Sequence, residues 1–203
     1  AVTNMGNIFA WGYNSNGQLG DGTTVNKNVP TKITITGEIV TMAVTGYYHS
    51  IASTLSGNVY TWGSNSNGQL GDGTLMGKTV PTHITISEEV SAIAIGKNHS
   101  IAITDTGNFY TWGSNSNGQL GDGTTTDRSV PTHITIAGEV SYAVAGVYHS
   151  MAITNSGELY AWGANNYGQI GDATNIVRKT PKLINVYGKT IKRIAAGYYH
   201  SIA

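Results

Sequence analysis

Residues 62–74 read Trp-Gly-Ser-Asn-Ser-Asn-Gly-Gln-Leu-Gly-Asp-Gly-Thr, and residues 112–124 repeat that order without a change. Residues 11–23 differ from it at one position, and residues 162–174 differ at five. Outward from this stretch, each copy is followed by a proline and then by a His-Ser pair, at intervals of 50 or 51 residues. Self-similarity at a fixed period of this length indicates that the fold is built from one unit used four times.

The repeat divides the chain into units 1–51, 52–101, 102–151 and 152–202, and Ala203 begins a fifth copy. Both ends of the chain therefore fall at the same phase of the repeat, which we expect to lie inside a strand. Domain boundaries prefer exposed linkers that few contacts cross. We therefore expect this sequence to be a section of a longer array.

Each unit predicts four short antiparallel strands. In one copy they are expected at residues 100–104, 108–112, 133–136 and 140–144, with Pro131 closing the long loop before the third. No segment carries an apolar stripe at helical spacing. Four strands in about 50 residues are typical of a β-propeller blade, which must pack on neighbouring blades to bury both of its faces. The predicted fold is therefore an all-β propeller segment.

A longer pattern gives a family resemblance. Trp62-Gly63-x-Asn65-x-x-Gly68-Gln69-Leu70-Gly71, followed by Gly96-x-x-His99-Ser100, resembles the repeat of the regulator of chromosome condensation family, and it covers the chain four times. The resemblance implies a ring that typically has seven blades. Four blades then leave three arrangements open: a partial ring in a longer protein, a self-closed four-bladed ring, or copies that complete each other through open strand edges.

The family resemblance implies several functions, because its members include GTPase exchange factors, plant ultraviolet sensors, parts of ubiquitin ligases and secreted bacterial inhibitors of β-lactamase. The photoreceptor members carry Trp and Arg before the repeat His, where this chain has Tyr47-Tyr48, Lys97-Asn98, Val147-Tyr148 and Tyr198-Tyr199. The exchange factors carry a wedge insertion and a basic tail that these residues lack. We therefore expect neither light sensing nor nucleotide exchange.

The composition of the chain restricts the classes of partner that it is expected to bind. Lys plus Arg and Asp plus Glu both number 11, so the formal net charge is zero and the chain has no general attraction for nucleic acid or anionic lipid. Only 11% of residues are charged, and there is no Cys for a disulfide, a thiolate metal site or a nucleophile. No apolar run approaches the length of a membrane span. We expect neither nucleic-acid binding nor membrane insertion.

The His-Ser and Trp-Gly pairs are predicted to be structural. Adjacent residues on a strand point to opposite faces, so the His and Ser of one pair cannot act on each other, and an enzyme needs one asymmetric site rather than four equal ones. We predict no catalytic, cofactor or metal site. The predicted structural anchors are Trp11, Trp62, Trp112, Trp162, His49, His99, His149 and His200.

Charged residues also repeat and suggest a binding surface. A cation stands three residues before each proline, and a glutamate stands eight residues after three of them. In a cyclic array these would form arcs of opposite charge that could steer a partner. Residues just before each His, which differ between copies, are further candidates. The predicted partner-binding residues are Lys27, Lys78, Arg128, Arg178, Glu38, Glu89, Glu139, Lys97, Tyr48 and Tyr148.

The resulting functional hypothesis is a non-catalytic protein-interaction or scaffold module that binds through inter-strand loops on a propeller face. Its Thr-, Asn-, Ser- and Gly-rich, charge-poor sequence favours a secreted or cell-surface setting, and a bacterial source. The partner is expected to be another protein or copies of the same chain. Alternatives are a self-assembling element built through open blade edges, an inhibitor of an extracellular enzyme and, last, a guanine-nucleotide exchange factor.

Overall fold

The computed structural model describes residues 1–203 and contains only strands, turns and loops. An N-terminal half-blade consists of β1 (Ile8–Gly12) and β2 (Lys27–Ile33). The first blade consists of β3 (Val40–Thr45), β4 (His49–Thr54), β5 (Val59–Gly63) and β6 (Lys78–Ile84). The second consists of β7 (Val90–Ile95), β8 (His99–Thr104), β9 (Phe109–Gly113) and β10 (Arg128–Ile134). The third consists of β11 (Val140–Ala145), β12 (His149–Thr154), β13 (Leu159–Gly163) and β14 (Arg178–Ile184), and a C-terminal half-blade consists of β15 (Ala195–Ala196) and β16 (Ser201–Ile202).

Each sheet is antiparallel, and its strands are neighbours in chain order. The predicted all-β fold of four-stranded blades is confirmed. The sheets are offset from the sequence units, because the division between residues 51 and 52 falls inside β4. The N-terminal half-blade therefore supplies the third and fourth strands of the blade pattern, and the C-terminal half-blade supplies the first and second. With no helix, the fold contains none that could cross a membrane.

The outermost strand of each blade begins earlier than predicted. Residues 133–136 were expected, whereas β10 begins at Arg128 and includes Pro131, so this proline lies inside a strand and does not close a loop. An outermost strand pairs on one side only, so the missing N–H of proline can be tolerated there. The pairing register also shifts between Arg128 and Thr132, which accommodates the proline.

The hydrophobic core lies between blades. Phe109 of the second blade packs edge-on against Trp162 of the third, with ring centroids 5.5 Å apart. The same cluster contains Ile101 of β8 and Val140 of β11. A four-stranded sheet of this size has two apolar faces, and only stacking on its neighbours buries both.

Glycine is required where a loop of one blade meets the tryptophan of the next. Gly71 has φ +76°, and a Cβ added there would lie 2.7 Å from Nε1 of Trp112. Positive φ and close approach both exclude larger residues at this position. The Gly-Gln-Leu-Gly stretch thus sets how closely two blades can pack.

Candidate binding face and the anchors that support it

A hydrogen-bonded relay joins successive blades. His49 Nε2 lies 3.0 Å from Ser100 Oγ in the next blade, and that hydroxyl donates to the carbonyl oxygen of Gln69 at 2.9 Å. A serine hydroxyl has one proton, so Nε2 of His49 must be the donor to Ser100. Its Nδ1 is therefore unprotonated, and this buried atom has no hydrogen-bond partner. The relay recurs at His99 with Ser150 and at His149 with Ser201.

This geometry is not that of a base and its nucleophile. An activated serine donates its proton to the histidine, whereas Ser100 donates to a backbone carbonyl and accepts from His49. Both side chains are also buried away from any substrate. The His-Ser pairs therefore connect blades, and they give no sign of catalytic activation.

Burial controls the protonation of these histidines. It lowers the pKa of His49 and of His99 to about 3 and the pKa of His149 to about 4, with a further contribution from the neighbouring relay histidine. Protonating Nδ1 would place a charge in a site without an acceptor. All three imidazoles are neutral near pH 7.

The tryptophans complete the same interfaces. Trp112 Nε1 donates to the carbonyl oxygen of Gln69 at 2.9 Å. That oxygen therefore accepts from both Trp112 and Ser100 of the next blade. Trp62, Trp112 and Trp162 are 0–2% exposed. Trp11, also predicted as an anchor, is 51% exposed. His200 is likewise exposed, because neither residue has the neighbouring blade that covers its counterparts.

The long loop of each repeat is organised around one buried asparagine. Asn115 accepts from Leu120 N at 3.0 Å and donates through Nδ2 to Asp122 Oδ1 at 2.9 Å. Asp122 also accepts from the backbone and hydroxyl of Thr124. A second loop carboxylate, Asp127, accepts from the backbone N–H of Asn115 at 2.7 Å. No group of three or more His, Cys, Asp or Glu side chains is placed to hold a metal ion.

The four repeated cations, which were predicted as partner-binding residues, form ion pairs within the fold. Each of the four cations pairs with the aspartate of its own loop, as Lys27 does with Asp21 at 3.0 Å and Lys78 with Asp72 at 3.2 Å. Burial alone would raise the pKa of Asp21, but hydrogen bonds from Lys27, Thr23 and Asn14 lower it to about 2. These ion pairs close the loop onto the start of the outer strand. The corresponding pairs are Arg128 with Asp122 and Arg178 with Asp172.

The predicted acidic arc is also altered. Glu38 accepts hydrogen bonds from Ser56 and Asn58 across a neighbouring turn, at 2.6 and 2.7 Å. In the next blade the same place is taken by Glu88, which accepts from Asn108 at 2.8 Å, and not by Glu89. The glutamates were predicted by counting eight residues from each proline. That count selected Glu89 in place of Glu88, because the first copy has one extra residue between the proline and its next strand. Counting back from that strand would have identified Glu88.

Glu139, the third predicted acidic residue, accepts from the side chain of Asn155 at 3.0 Å. This contact joins the turn before β11 to the turn after β12. Like Glu38, Glu139 therefore has a partner within the fold. The predicted glutamates lie at the blade ends opposite the long loops.

The end of the molecule that carries the long loops has an aromatic surface, which we call the tyrosine face. Its members precede the repeat histidines or lie in the long loops, at positions where the four copies differ. They are Tyr13, Tyr47, Tyr48, Tyr148, Tyr167, Tyr198 and Tyr199. Tyr48 and Tyr148 were predicted as candidates, and the remaining members were not. The sequence did contain a signal for them, because tyrosine occupies most of the positions directly before the repeat histidines, where the copies differ.

Tyrosines of this face contact one another in two groups. Tyr48 lies 6.5 Å from Tyr13 and 6.0 Å from Tyr47, measured between ring centroids. Tyr199 lies 4.3 Å from Tyr198 and 4.8 Å from Tyr167. Between the groups lie Tyr148 and Lys97, the last of which was also a predicted candidate.

Comparison with known proteins supports the fold assignment. The sequence model of the RCC1-like domain matches residues 1–203. The solved structure of human WBSCR16 superposes with a TM-score of 0.89 at 26% identity, covering 98% of this chain and 53% of that one. Prp20p from Saccharomyces cerevisiae, described with its binding to Gsp1p and histones, gives a TM-score of 0.80 at 24% identity, covering 95% of this chain and 50% of that one.

Curated sequences give shorter matches. Ultraviolet-B receptor UVR8 of Arabidopsis thaliana is 39% identical over 82 residues, which is 40% of this chain and 19% of that protein. The Danio rerio protein RCC2 homolog is 42% identical over 73 residues, 36% of this chain and 15% of that protein. The chain thus matches less than a fifth of these curated relatives and about half the length of the solved ones. With its repeated Trp, Gln and His-Ser anchors and a match along its whole length, this chain belongs to the RCC1-like domain family.

Proposed function

We propose that this chain is a non-catalytic protein-binding module that holds its partner on the tyrosine face. The main support for this proposal is where the sequence differences between the four copies lie. Anchors such as Trp112 and His99 repeat and are buried, whereas most residues of the tyrosine face interrupt the repeat and are exposed. Binding sites are commonly built on variable loops that a rigid scaffold holds in place.

Tyrosine suits such a surface. Its ring covers apolar area at little entropic cost, and its hydroxyl can still hydrogen-bond, so tyrosine is enriched at binding hot spots. Tyr47, Tyr48, Tyr198 and Tyr199 are each 40–52% exposed. Their mutual contacts restrain the rings before a partner arrives, which reduces the ordering cost of binding.

The test is selection of binders from a displayed library of random 12-residue peptides. Tyr148→Ser/Tyr199→Ser is expected to lower the affinity of selected peptides by about 10-fold or more, as removal of hot-spot rings does. The control Met5→Ser/Leu55→Ser removes two exposed apolar side chains elsewhere. Equal losses in both variants would show that the tyrosine face is not the binding site.

We further propose that the module works in a secreted or cell-surface protein. The Thr-, Asn-, Ser- and Gly-rich, charge-poor sequence supports this setting. Detection of the native protein in the culture medium or on intact cells would support the proposal. Confinement to the cytoplasmic fraction would overturn it.

We also propose self-assembly as a second candidate function, through the strand edges of the two half-blades. Trp11 is half exposed, whereas its counterparts donate to Gln18, Gln69 and Gln119. At the opposite end, the carbonyl oxygen of Gln169 accepts from Ser201 but from no tryptophan. A Cβ on Gly171 would have no tryptophan beside it, unlike one on Gly71. The two half-blades together contain the four strand positions of one blade.

Under this candidate, β1–β2 of one copy completes the blade begun by β15–β16 of another. The register of Ile51 with Thr61 in the first blade places Ile202 opposite Ala10 of the second copy. Because the chain has no Cys, Ala10→Cys/Ile202→Cys is expected to give a ladder of disulfide-linked dimers and larger species. Cross-linking no further than in the single-cysteine controls, or a disulfide within one chain, would overturn self-assembly.

A further inference from the structure

Four residues at equivalent positions surround a depression beside the ends of the innermost strands, and we call them the channel mouth. Each follows a glycine that comes directly after the innermost strand of a blade: Tyr47, Lys97, Val147 and Tyr198. They line a depression of about 460 Å³ on the tyrosine face. Lys97 is the only charged side chain among the lining residues, so it alone determines the sign of the local charge.

Lys97 is held by aromatic rings. Its Nζ lies 5.6 Å from the ring centroid of Tyr47 and 5.6 Å from that of Tyr148, and 3.5 Å from the hydroxyl oxygen of Tyr148. These contacts restrain the ammonium between two rings. The hydrogen bond to Tyr148 raises the pKa of Lys97, so the side chain remains charged at neutral pH.

Lys97 also lacks an acidic partner. The four ion pairs of the chain each join a loop aspartate to the cation six residues later, and no carboxylate lies within 4.0 Å of Lys97 Nζ. The cations at the start of the four outer strands are thus neutralised within the fold, whereas Lys97 on the tyrosine face is not. A restrained cation without a counter-charge favours a ligand that brings one.

Apolar surface continues inward from the mouth. A cavity of about 450 Å³ is lined only by hydrophobic residues, most of them in the inner strands, among them Val44, Ala94 and Val144. Ile95 and Ala145 line both this cavity and the depression at the channel mouth, so the two surfaces are continuous. A ligand at Lys97 can therefore place apolar groups against this wall and against the flanking rings.

We infer that the channel mouth binds an acidic peptide segment in which a carboxylate on Lys97 is flanked by apolar side chains. This inference deepens the proposed function and rests on it, because it names the chemistry of a partner for the same face. A charge-assisted hydrogen bond to Lys97 would give specificity, and packing on Tyr47, Tyr148 and Tyr198 would give contact area.

The test again uses the library of displayed 12-residue peptides. Peptides selected on the unaltered protein are expected to be enriched in Asp or Glu, and their Asn or Gln counterparts to bind more weakly. Lys97→Met is expected to weaken the acidic peptides about 10-fold, the size of a lost hydrogen bond to a charged group, and Lys97→Arg to retain most of the affinity. The matched control is Lys32→Met, in the outer strand β2.

Each remaining outcome separates this inference from the proposed function. If the peptides lack acidic enrichment and bind Lys97→Met normally, but lose affinity to Tyr148→Ser/Tyr199→Ser, the acidic ligand is overturned and the tyrosine face stands. If binding is indifferent to all of these variants, both are overturned. Unchanged thermal unfolding of Lys97→Met and Lys97→Arg would confirm that differences in affinity do not arise from misfolding.

Discussion

Lowering the pH from 7 to 5 is expected to reduce the free energy of unfolding sharply. In the folded chain the pKa of His49, His99 and His149 is lowered to about 3–4, whereas in the unfolded chain these side chains regain ordinary values. The unfolded state therefore binds more protons, so the stabilisation is present above pH ~6.5 and is lost as the pH falls toward the folded values. The three histidines together account for a loss of about 6 kcal/mol between pH 7 and 5.

Urea unfolding measured at several pH values between 7 and 5 checks this expectation. The interval lies above the range in which Asp21 and Asp172 titrate, since the pKa of each is lowered to about 2. His99→Gln should reduce the slope of stability against pH by about one third, because one of three buried imidazoles is removed. His83→Gln, at an exposed position, is the control for replacing an imidazole. Equal stability at pH 7 and 5 would contradict the neutral-histidine relay.

The second large effect is expected from replacing Trp112, compared with the same replacement at its sequence equivalent Trp11. Trp112→Ala should lower the free energy of unfolding by about 3–5 kcal/mol, because it leaves a cavity between two blades and removes a donor from Gln69. Trp11→Ala should cost less than about 1 kcal/mol, since half of that side chain is already in water. Denaturant titrations of the two variants at low protein concentration measure the difference.

The milder Trp112→Phe keeps part of the ring volume but not the N–H. Its loss in the free energy of unfolding should lie between those of Trp112→Ala and Trp11→Ala. Equal losses for Trp112→Ala and Trp11→Ala would show that the anchors stabilise each sheet by itself. Such a result would remove the argument that packing between blades sustains the fold.

Sequence alone predicted much of the fold for a physical reason. A unit of about 50 residues with four strand patterns cannot cover its own apolar faces, so periodicity predicts stacking without any knowledge of side-chain contacts. The start of β10 could not be predicted in this way. Pro131 normally interrupts a strand, and only its place at the outer edge of the sheet makes it tolerable.

The candidate site was less predictable. Repeated charges suggested a surface, but Lys27 and Arg128 meet an aspartate through a loop whose path no spacing rule gives. Trp11 was grouped with buried anchors because identity of sequence does not report whether a neighbouring blade is present. The tyrosine face depends on residues distant in sequence, such as Tyr13 and Tyr48, which meet only after the blades are arranged.

We propose that the repeated residues hold the blades together, whereas the divergent residues of one face bind the partner. Amide hydrogen exchange of the chain, with and without a selected library peptide, distinguishes these two roles. We predict slower exchange at residues 47–48, 97–98, 147–148 and 198–199 and in the loops that carry Tyr13 and Tyr167. Protection confined to the opposite turns around Glu38, Glu88 and Glu139 would contradict the claim.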